Sequence, residues 1–263
     1  MLYRTILLLL SFLLFTQNAV AASLSNRLQQ YPEWNSKPPV KVAQGDLQYP
    51  QWMKGTWAVT STLKEQTAPL APDIVTPGFK DNQQYIDQPV DFLVRFGTEY
   101  YTPEKNLLPN LFARNQQTPV VADRVFNGEH IAAAYLGAKN VVKVKVDPSN
   151  PNKQITLLKG ERRLISQVTG RNSETPASNR FIASEVTKQL FRSPERIYLN
   201  EVETTSDYTL IEPDTVTAQQ ITAIYLSPQD PDYFQASDRP VAIYRYQLNL
   251  ELSSSEREVI SNK

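Results

Sequence analysis

From Gly55 onward the chain alternates apolar and polar residues in run after run, and a period of two admits little except β-structure. Behind Gly55, Trp57, Val59, Ser61 and Leu63 alternate with Ala58, Thr60 and Thr62. Val90, Phe92, Val94 and Phe96 alternate with Asp91 and Arg95 over Pro89 to Phe96, and valine alternates with lysine from Val141 to Val146. Gln154 to Lys159 and Arg162 to Thr169 flank Lys159-Gly160 as a hairpin. Phe181 to Phe191, Ile197 to Ile211, Val216 to Leu226 and Val241 to Leu252 add four longer strands, divided by Ser193-Pro194, Glu212-Pro213-Asp214 and a loop from Pro228 to Pro240.

The result is about nine sequential strands without alternating helices, which predicts an antiparallel up-and-down meander rather than a parallel α/β sheet. Closing such a meander into a β-barrel removes its unpaired edges, so the expected fold is mainly β, a single barrel domain over 52–254. One short helix is expected from Asp123 or Asn127 to Leu136, because Val125, Ile131, Ala132, Tyr135 and Leu136 share a face and Gly137 sits at a left-handed C-cap position. Such a helix packs against the barrel wall or closes one end.

The strands are preceded by two different segments. Residues 1–21 read as a cleavable signal peptide: Arg4 supplies the positive charge, Ile6 to Phe15 is apolar except for Ser11, and Ala19-Val20-Ala21 sets small residues before a cut at Ala22. The apolar stretch is shorter than the roughly 20 residues a spanning helix needs, and no cysteine follows it for lipid attachment, so the mature chain is expected to be exported and not integral to a membrane. Residues 22–51 read as an extended irregular lead-in broken by Pro32, Pro38, Pro39 and Pro50, with Trp34 as its apolar anchor, and 255–263 as a C-terminal tail.

Charge and motif content narrow the chemistry. Of 27 basic residues Arg4 leaves with the leader, so 26 face 27 acidic ones, and neither nucleic acid nor an anionic membrane surface is favoured as a partner. With no cysteine, stability has to come from apolar burial rather than disulfides. The chain has no N-x-[ST] acceptor, which favours a periplasm or organelle lumen, and none of the glycine patterns that cradle nucleotide phosphates or present a nucleophilic serine. His130 is the only histidine and reads as a polar residue early in the helix rather than a catalytic base. Asp230, Asp232 and Asp238 offer oxygen ligands but lack the glycine and spacing of an EF-hand, so a solvated turn is the favoured reading. No catalytic residue, cofactor or metal ligand is assigned.

The residues of interest are charges at barrel-facing parity. Phe181, Ala183, Glu185 and Thr187 share one face of their strand, as do Leu199, Glu201 and Glu203 on the next and Ile243, Arg245 and Gln247 on the last. Buried inside a barrel these charges have to pair, and Glu185 or Glu201 with Arg245 would orient the polar end of a ligand whose body packs on Tyr198, Tyr225, Tyr244 or Tyr246. Alternatively this face is the solvent side; register decides.

Gly55-Thr56-Trp57 resembles the G-x-W signature of lipocalins and other calycins, in which the tryptophan packs across the closed end of the barrel. Thr205-Ser206-Asp207-Tyr208 looks like a loosened form of the lipocalin T-D-Y element, and Arg245 would be the arginine that packs over the tryptophan. The separation of about 150 residues between Trp57 and Tyr208 exceeds an ordinary meander and requires insertions or extra strands. The resemblance to cyanobacterial bilin lyases is confined to the glycine-tryptophan strand.

A second resemblance covers most of the mature chain. Pro50-Gln51-Trp52-Met53-Lys54-Gly55-Thr56-Trp57, Asp123-Arg124-Val125-Phe126-Asn127 and Ala134-Tyr135-Leu136-Gly137 are similar to an uncharacterised family of cyanobacteria and plant plastids, domain of unknown function 6816. That resemblance implies the periplasm or thylakoid lumen and no known activity. The expected function is a lipocalin-like binding protein for a small apolar or amphipathic molecule such as a lipid, pigment or precursor, with Trp57, Glu185, Glu201, Tyr208 and Arg245 as ligand-binding candidates. The alternative is a non-enzymatic assembly factor whose Pro-rich loop from Thr67 to Gln84 contacts a membrane complex; an enzyme using carboxylates and tyrosines ranks below both.

Overall fold

In a computed structural model, which describes residues 23–101 and 118–254, the period-two runs form the expected strands. The expected leader at 1–21 and tail at 255–263 lie outside the described residues. The strands are β1 (Lys41–Val42), β2 (Gly55–Thr67), β3 (Pro89–Gly97), β4 (Val121–Ala122), β5 (Val141–Asp147), β6 (Asn150–Leu158), β7 (Arg162–Ala177), β8 (Arg180–Arg192), β9 (Ile197–Glu212), β10 (Thr215–Leu226) and β11 (Ala242–Leu252). Among the described residues three α-helices accompany them: α1 (Leu24–Gln29), α2 (Arg124–Leu136) and α3 (Tyr233–Ala236).

All strands join one antiparallel sheet in the order β4-β3-β2-β11-β10-β9-β8-β7-β6-β5, with β1 added to β7. The sheet curls into a half-barrel of ten strands, not the closed barrel of nine that the alternation predicted. The last long strand does meet the first, since β11 pairs with β2 from Ile243–Thr67 to Leu252–Trp57. The opening falls elsewhere, between the β3/β4 edge and β5, because the chain joining those strands is helix and not strand.

Helix α2 spans that opening and packs on β3 at one edge and on β5 and β6 at the other. Its Asn127 does for the edge strand what a neighbouring strand would do: the side-chain oxygen accepts from the Arg95 amide at 2.6 Å, and the side-chain amide donates to the Arg95 carbonyl at 3.2 Å. The Asp123 carboxylate caps the helix by accepting from the Phe126 amide, and the helix ends at Gly137, where φ is +82°. Gly128 allows the close approach to the second edge, since a Cβ there would lie 2.9 Å from Val144 Cγ1 and 2.7 Å from Gln154 Nε2.

The first strand explains its own glycine. Gly55 has φ of +130°, and a Cβ would stand 2.8 Å from Leu252 Cδ1. Trp57 is fully buried among Met53, Val59, Phe96, Leu250 and Leu252, and its indole N–H donates to the Met53 carbonyl at 2.9 Å. The arginine expected over this ring lies elsewhere. Leu252 is the β11 residue opposite Trp57, whereas Arg245 sits toward the other end of the strand opposite Glu65, to which its Nη2 donates at 2.8 Å.

The lead-in forms a second layer over the sheet. It contains α1, which Ser23 caps by accepting from the Asn26 amide, and it lays Leu28, Tyr31 and Trp34 over Ile221, Ala223, Tyr225 and Ile243 on the convex face. Both faces of β10 are therefore covered, which is why Val216, Ala218, Ile221 and Ala223 are all buried along it.

Candidate functional site

Cross-strand register decides which side chains share the concave face. Glu185 lies opposite Arg171 on β7 and Thr204 on β9, so Thr204, Ser206 and Tyr208 point to the same side as Glu185, and Glu201, Glu203 and Thr205 point to the other. Tyr208 continues this side onto Ala218 of β10 and, beyond it, Leu248 of β11. Glu185 and Glu201 thus occupy opposite faces, and Arg245 is on the convex face with Glu201.

The charges expected to pair with one another take other partners. Arg245 pairs with Glu65; Glu201 accepts from Lys37 Nζ at 2.5 Å; Glu185 accepts from Arg171 Nη2 at 2.7 Å. Of the five candidate binding residues, Glu185 and Tyr208 border concave-face cavities, Trp57 belongs to the adjoining core, and Glu201 and Arg245 lie across the sheet. Of the tyrosines, Tyr246 borders a cavity, whereas Tyr225 is buried on the convex side.

Three adjoining cavities surround α2. The first, about 410 Å³, lies between the helix and the β6–β8 wall and is bordered by Leu47, Ile131 and Leu164, with Asp46, Arg124 and Glu185 at its polar corner. The second, about 220 Å³, lies toward β2, β3 and β11 and is bordered by Phe92, Val94, Tyr208 and Leu248. A third of about 480 Å³ lies at the C-terminal end of the helix beside Tyr85, Val90, Ala134 and Tyr246. Tyr135 borders all three, and its hydroxyl donates to Ser61 Oγ at 3.0 Å.

The helix explains why these spaces exist. It buries no residue fully, and Ile131, Tyr135 and Leu136 keep 38%, 47% and 44% of their surface exposed. Pinned at its start by Asn127 and Asp123 and at Gly128 by close approach to β5 and β6, it spans the mouth of the half-barrel without filling it. Its apolar face therefore borders cavities where a core helix would interdigitate with the sheet.

The polar corner is charged but internally balanced. Arg171 also donates to Asn152 Oδ1 at 2.8 Å and to the Gly45 carbonyl, while Arg124 Nε donates to Asp46 Oδ1 at 3.0 Å. Burial pushes the Tyr49 hydroxyl well above the ordinary tyrosine range and raises that of Tyr208, so both stay neutral at physiological pH. The corner can receive a polar group through hydrogen bonds. His130 is engaged within its helix, with Nδ1 2.9 Å from the Phe126 carbonyl oxygen. Among the described residues no group of three or more His, Cys, Asp or Glu is placed to hold a metal ion, and no helix is long and apolar enough to cross a membrane.

The apolar face of α2 was legible from its spacing, but Arg171, Arg124 and Asp46 carried no local signal. Arg171 reaches the corner because a bulge between Val168 and Gly170 shifts the register of β7 just before it. A family model described as a domain of unknown function (DUF6816) matches residues 41–254. No curated protein and no solved structure matches the chain.

Proposed function

Because the chain belongs to the DUF6816 family, whose description carries no activity, we propose from its geometry that it is a non-enzymatic binding protein for a small apolar or amphipathic molecule. The observation that carries this reading is the position of Ile131, Tyr135 and Leu136, three large apolar side chains of one helix facing cavities that adjoin at Tyr135. Sites of a few hundred Å³, mostly apolar with a few placed polar groups, suit small lipophilic ligands. The body of the ligand lies along α2, and its polar end meets Asn127, Gln154 and the ion pairs at Glu185 and Arg124. The reading of 1–21 as a leader is in keeping with a carrier exported to a periplasm or thylakoid lumen. The test is to purify the native protein, extract it into organic solvent and record mass and absorption spectra, alongside titration with 1-anilinonaphthalene-8-sulfonate. A bound molecule, or saturable probe binding that Ile131→Asp abolishes in a folded variant, supports the reading. An empty extract and no saturable binding leave the assembly factor as the better account.

A further inference from the structure

The far end of the β7–β8 hairpin carries a second feature, independent of the concave cavities. In the register of that pair Arg163 stands directly opposite Arg192, two guanidinium groups on neighbouring strands of the convex face. Like charges so placed repel, and sheets ordinarily put an opposite charge or a neutral group there. Neither arginine has a carboxylate within ion-pair distance among the described residues, although the other strongly engaged arginines, Arg27, Arg95, Arg124, Arg171, Arg180 and Arg245, each have one.

Two further observations point to a ligand. Arg163 Nε is shielded from solvent and makes no hydrogen bond, a donor left without its acceptor. Both arginines also border a predominantly polar cavity of about 320 Å³ at the β6–β7 and β8–β9 turns, together with Glu161, Ser193 and Pro194. The Ser193 hydroxyl is already engaged, donating to the Arg196 carbonyl and accepting from the Arg196 amide. Recognition therefore falls to the guanidinium forks, whose planar donors match the oxygens of a phosphate or carboxylate two at a time.

We propose that Arg163 and Arg192 form a binding site for a small oxyanion, a phosphate group in particular. The anion supplies acceptors to the two guanidinium groups that border the cavity and cancels the repulsion between the two strands. Glu161 borders the same space and opposes the anion, so the site carries one net positive charge and takes a weakly held, exchangeable ligand. That phosphate is either the free ion or the phosphoester of a small metabolite, since the cavity is open at the turns.

Calorimetric titration of the full-length mature chain with sodium phosphate, with sodium chloride at matched ionic strength and with glycerol phosphate tests the site and its source. Saturable phosphate binding is expected, weakened at least about tenfold in Arg163→Leu and in Arg192→Leu and strengthened in Glu161→Gln, as charge-assisted hydrogen bonds require. Tighter binding of glycerol phosphate identifies a phosphoester as the ligand class, and tighter binding of phosphate the free ion. The variants remove a repulsive pair and are expected to fold; their thermal midpoints are measured without phosphate to establish this, and Lys143→Ala on the exposed β5 edge serves as the surface-charge control. Equal heats from phosphate and chloride, or binding unchanged in both arginine variants, would overturn the proposal.

Discussion

Arg27 of α1 and Glu203 of β9, separated by 176 residues, form a two-point ion pair in which Nε and Nη2 donate to the two carboxylate oxygens at 2.6 and 2.5 Å. Glu203 is fully buried and Arg27 nearly so. The carboxylate also accepts from the Tyr225 hydroxyl at 2.7 Å and from Thr205 at 2.8 Å, and the guanidinium lies 3.9 Å over the Trp34 ring. This contact adds to the packing of Trp34 and the Lys37–Glu201 bridge in tying the lead-in to the convex face, and the four donors fill the acceptor positions of a carboxylate from which water is excluded.

Arg27→Leu is expected to destabilise the fold by about 3–5 kcal/mol, the usual consequence of leaving a buried charge without its partner. Adding Glu203→Gln to that variant removes the charge and is expected to recover a large part of the loss. Urea denaturation of the single and double variants measures both. If the single variant lost no more than an exposed substitution does, the lead-in would not be part of the folded core.

Gly128→Ala sets two effects of opposite sign against each other. Alanine is favoured over glycine in a helix by about 1 kcal/mol. The added methyl would lie 2.9 Å from Val144 Cγ1, whose stiff branched side chain cannot yield as the end of Gln154 can, and overpacking typically costs about 1–3 kcal/mol. The expected net result is a loss of about 1 kcal/mol together with displacement of α2 from β5 and β6. Increased fluorescence of a solvatochromic dye at the widened mouth, read beside the denaturation midpoint, distinguishes displacement from simple loss of stability.

The strands were legible because alternation is a local signal, and each run that alternates became a strand of the sheet. The barrel was not, because closure depends on what lies between β4 and β5, and there the helical spacing of Ile131, Tyr135 and Leu136 competes with any further strand. The same spacing identified α2 without revealing that its apolar face would border cavities, which depends on Asn127 and Gly128 fixing the distance of the helix from both edges. Glu185, Glu201 and Arg245 were grouped correctly within their own strands and wrongly across them. Parity is read along one chain segment, whereas register is set by hairpin lengths and by bulges such as those at Val168–Gly170 and Arg245–Tyr246. The importance of Arg27 had no local signature at all, since its partner is 176 residues away.

The β5–β6 turn is expected to be acid-sensitive. Hydrogen bonds from the Ser149 hydroxyl and amide, followed by Lys153, push the Asp147 carboxyl from 3.8 down to about 2. A carboxyl depressed in the folded state contributes stability that is complete above its unfolded value and is lost as pH falls through its folded value, here between about pH 4 and pH 2. Asp147→Asn should flatten the dependence in that window and lower the stability at neutral pH toward the value the native protein has below about pH 2, since the contribution of the carboxylate is lost at every pH. Carboxyl chemical shifts followed by NMR during acid titration report the value directly, and a midpoint for Asp147 near that of a free aspartate would refute the assignment.

At the alkaline end the buried tyrosines act in the opposite direction. Burial, aided by the Glu203 carboxylate beside it, raises the Tyr225 hydroxyl far above the ordinary value of 10.0, and burial likewise raises Tyr49, Tyr208 and Tyr246. Below pH 10 these groups are neutral in the folded and unfolded chains alike and contribute nothing to the pH dependence. Above it the unfolded chain releases the protons while the folded chain retains them, so stability falls as pH rises. The buried set is expected to ionise only together with loss of β-sheet circular dichroism. Tyr225→Phe removes one of the raised hydroxyls and should make the fall of stability above pH 10 shallower, starting from a neutral-pH stability lowered by about 1.5–3 kcal/mol through loss of its hydrogen bond to the charged Glu203. Phenolate absorbance recorded beside circular dichroism decides the matter: if all tyrosines titrated together near 10 while the sheet persisted, the hydroxyls at Tyr225 and Tyr208 would be open to water and the packing of both faces of the half-barrel would have to be revised.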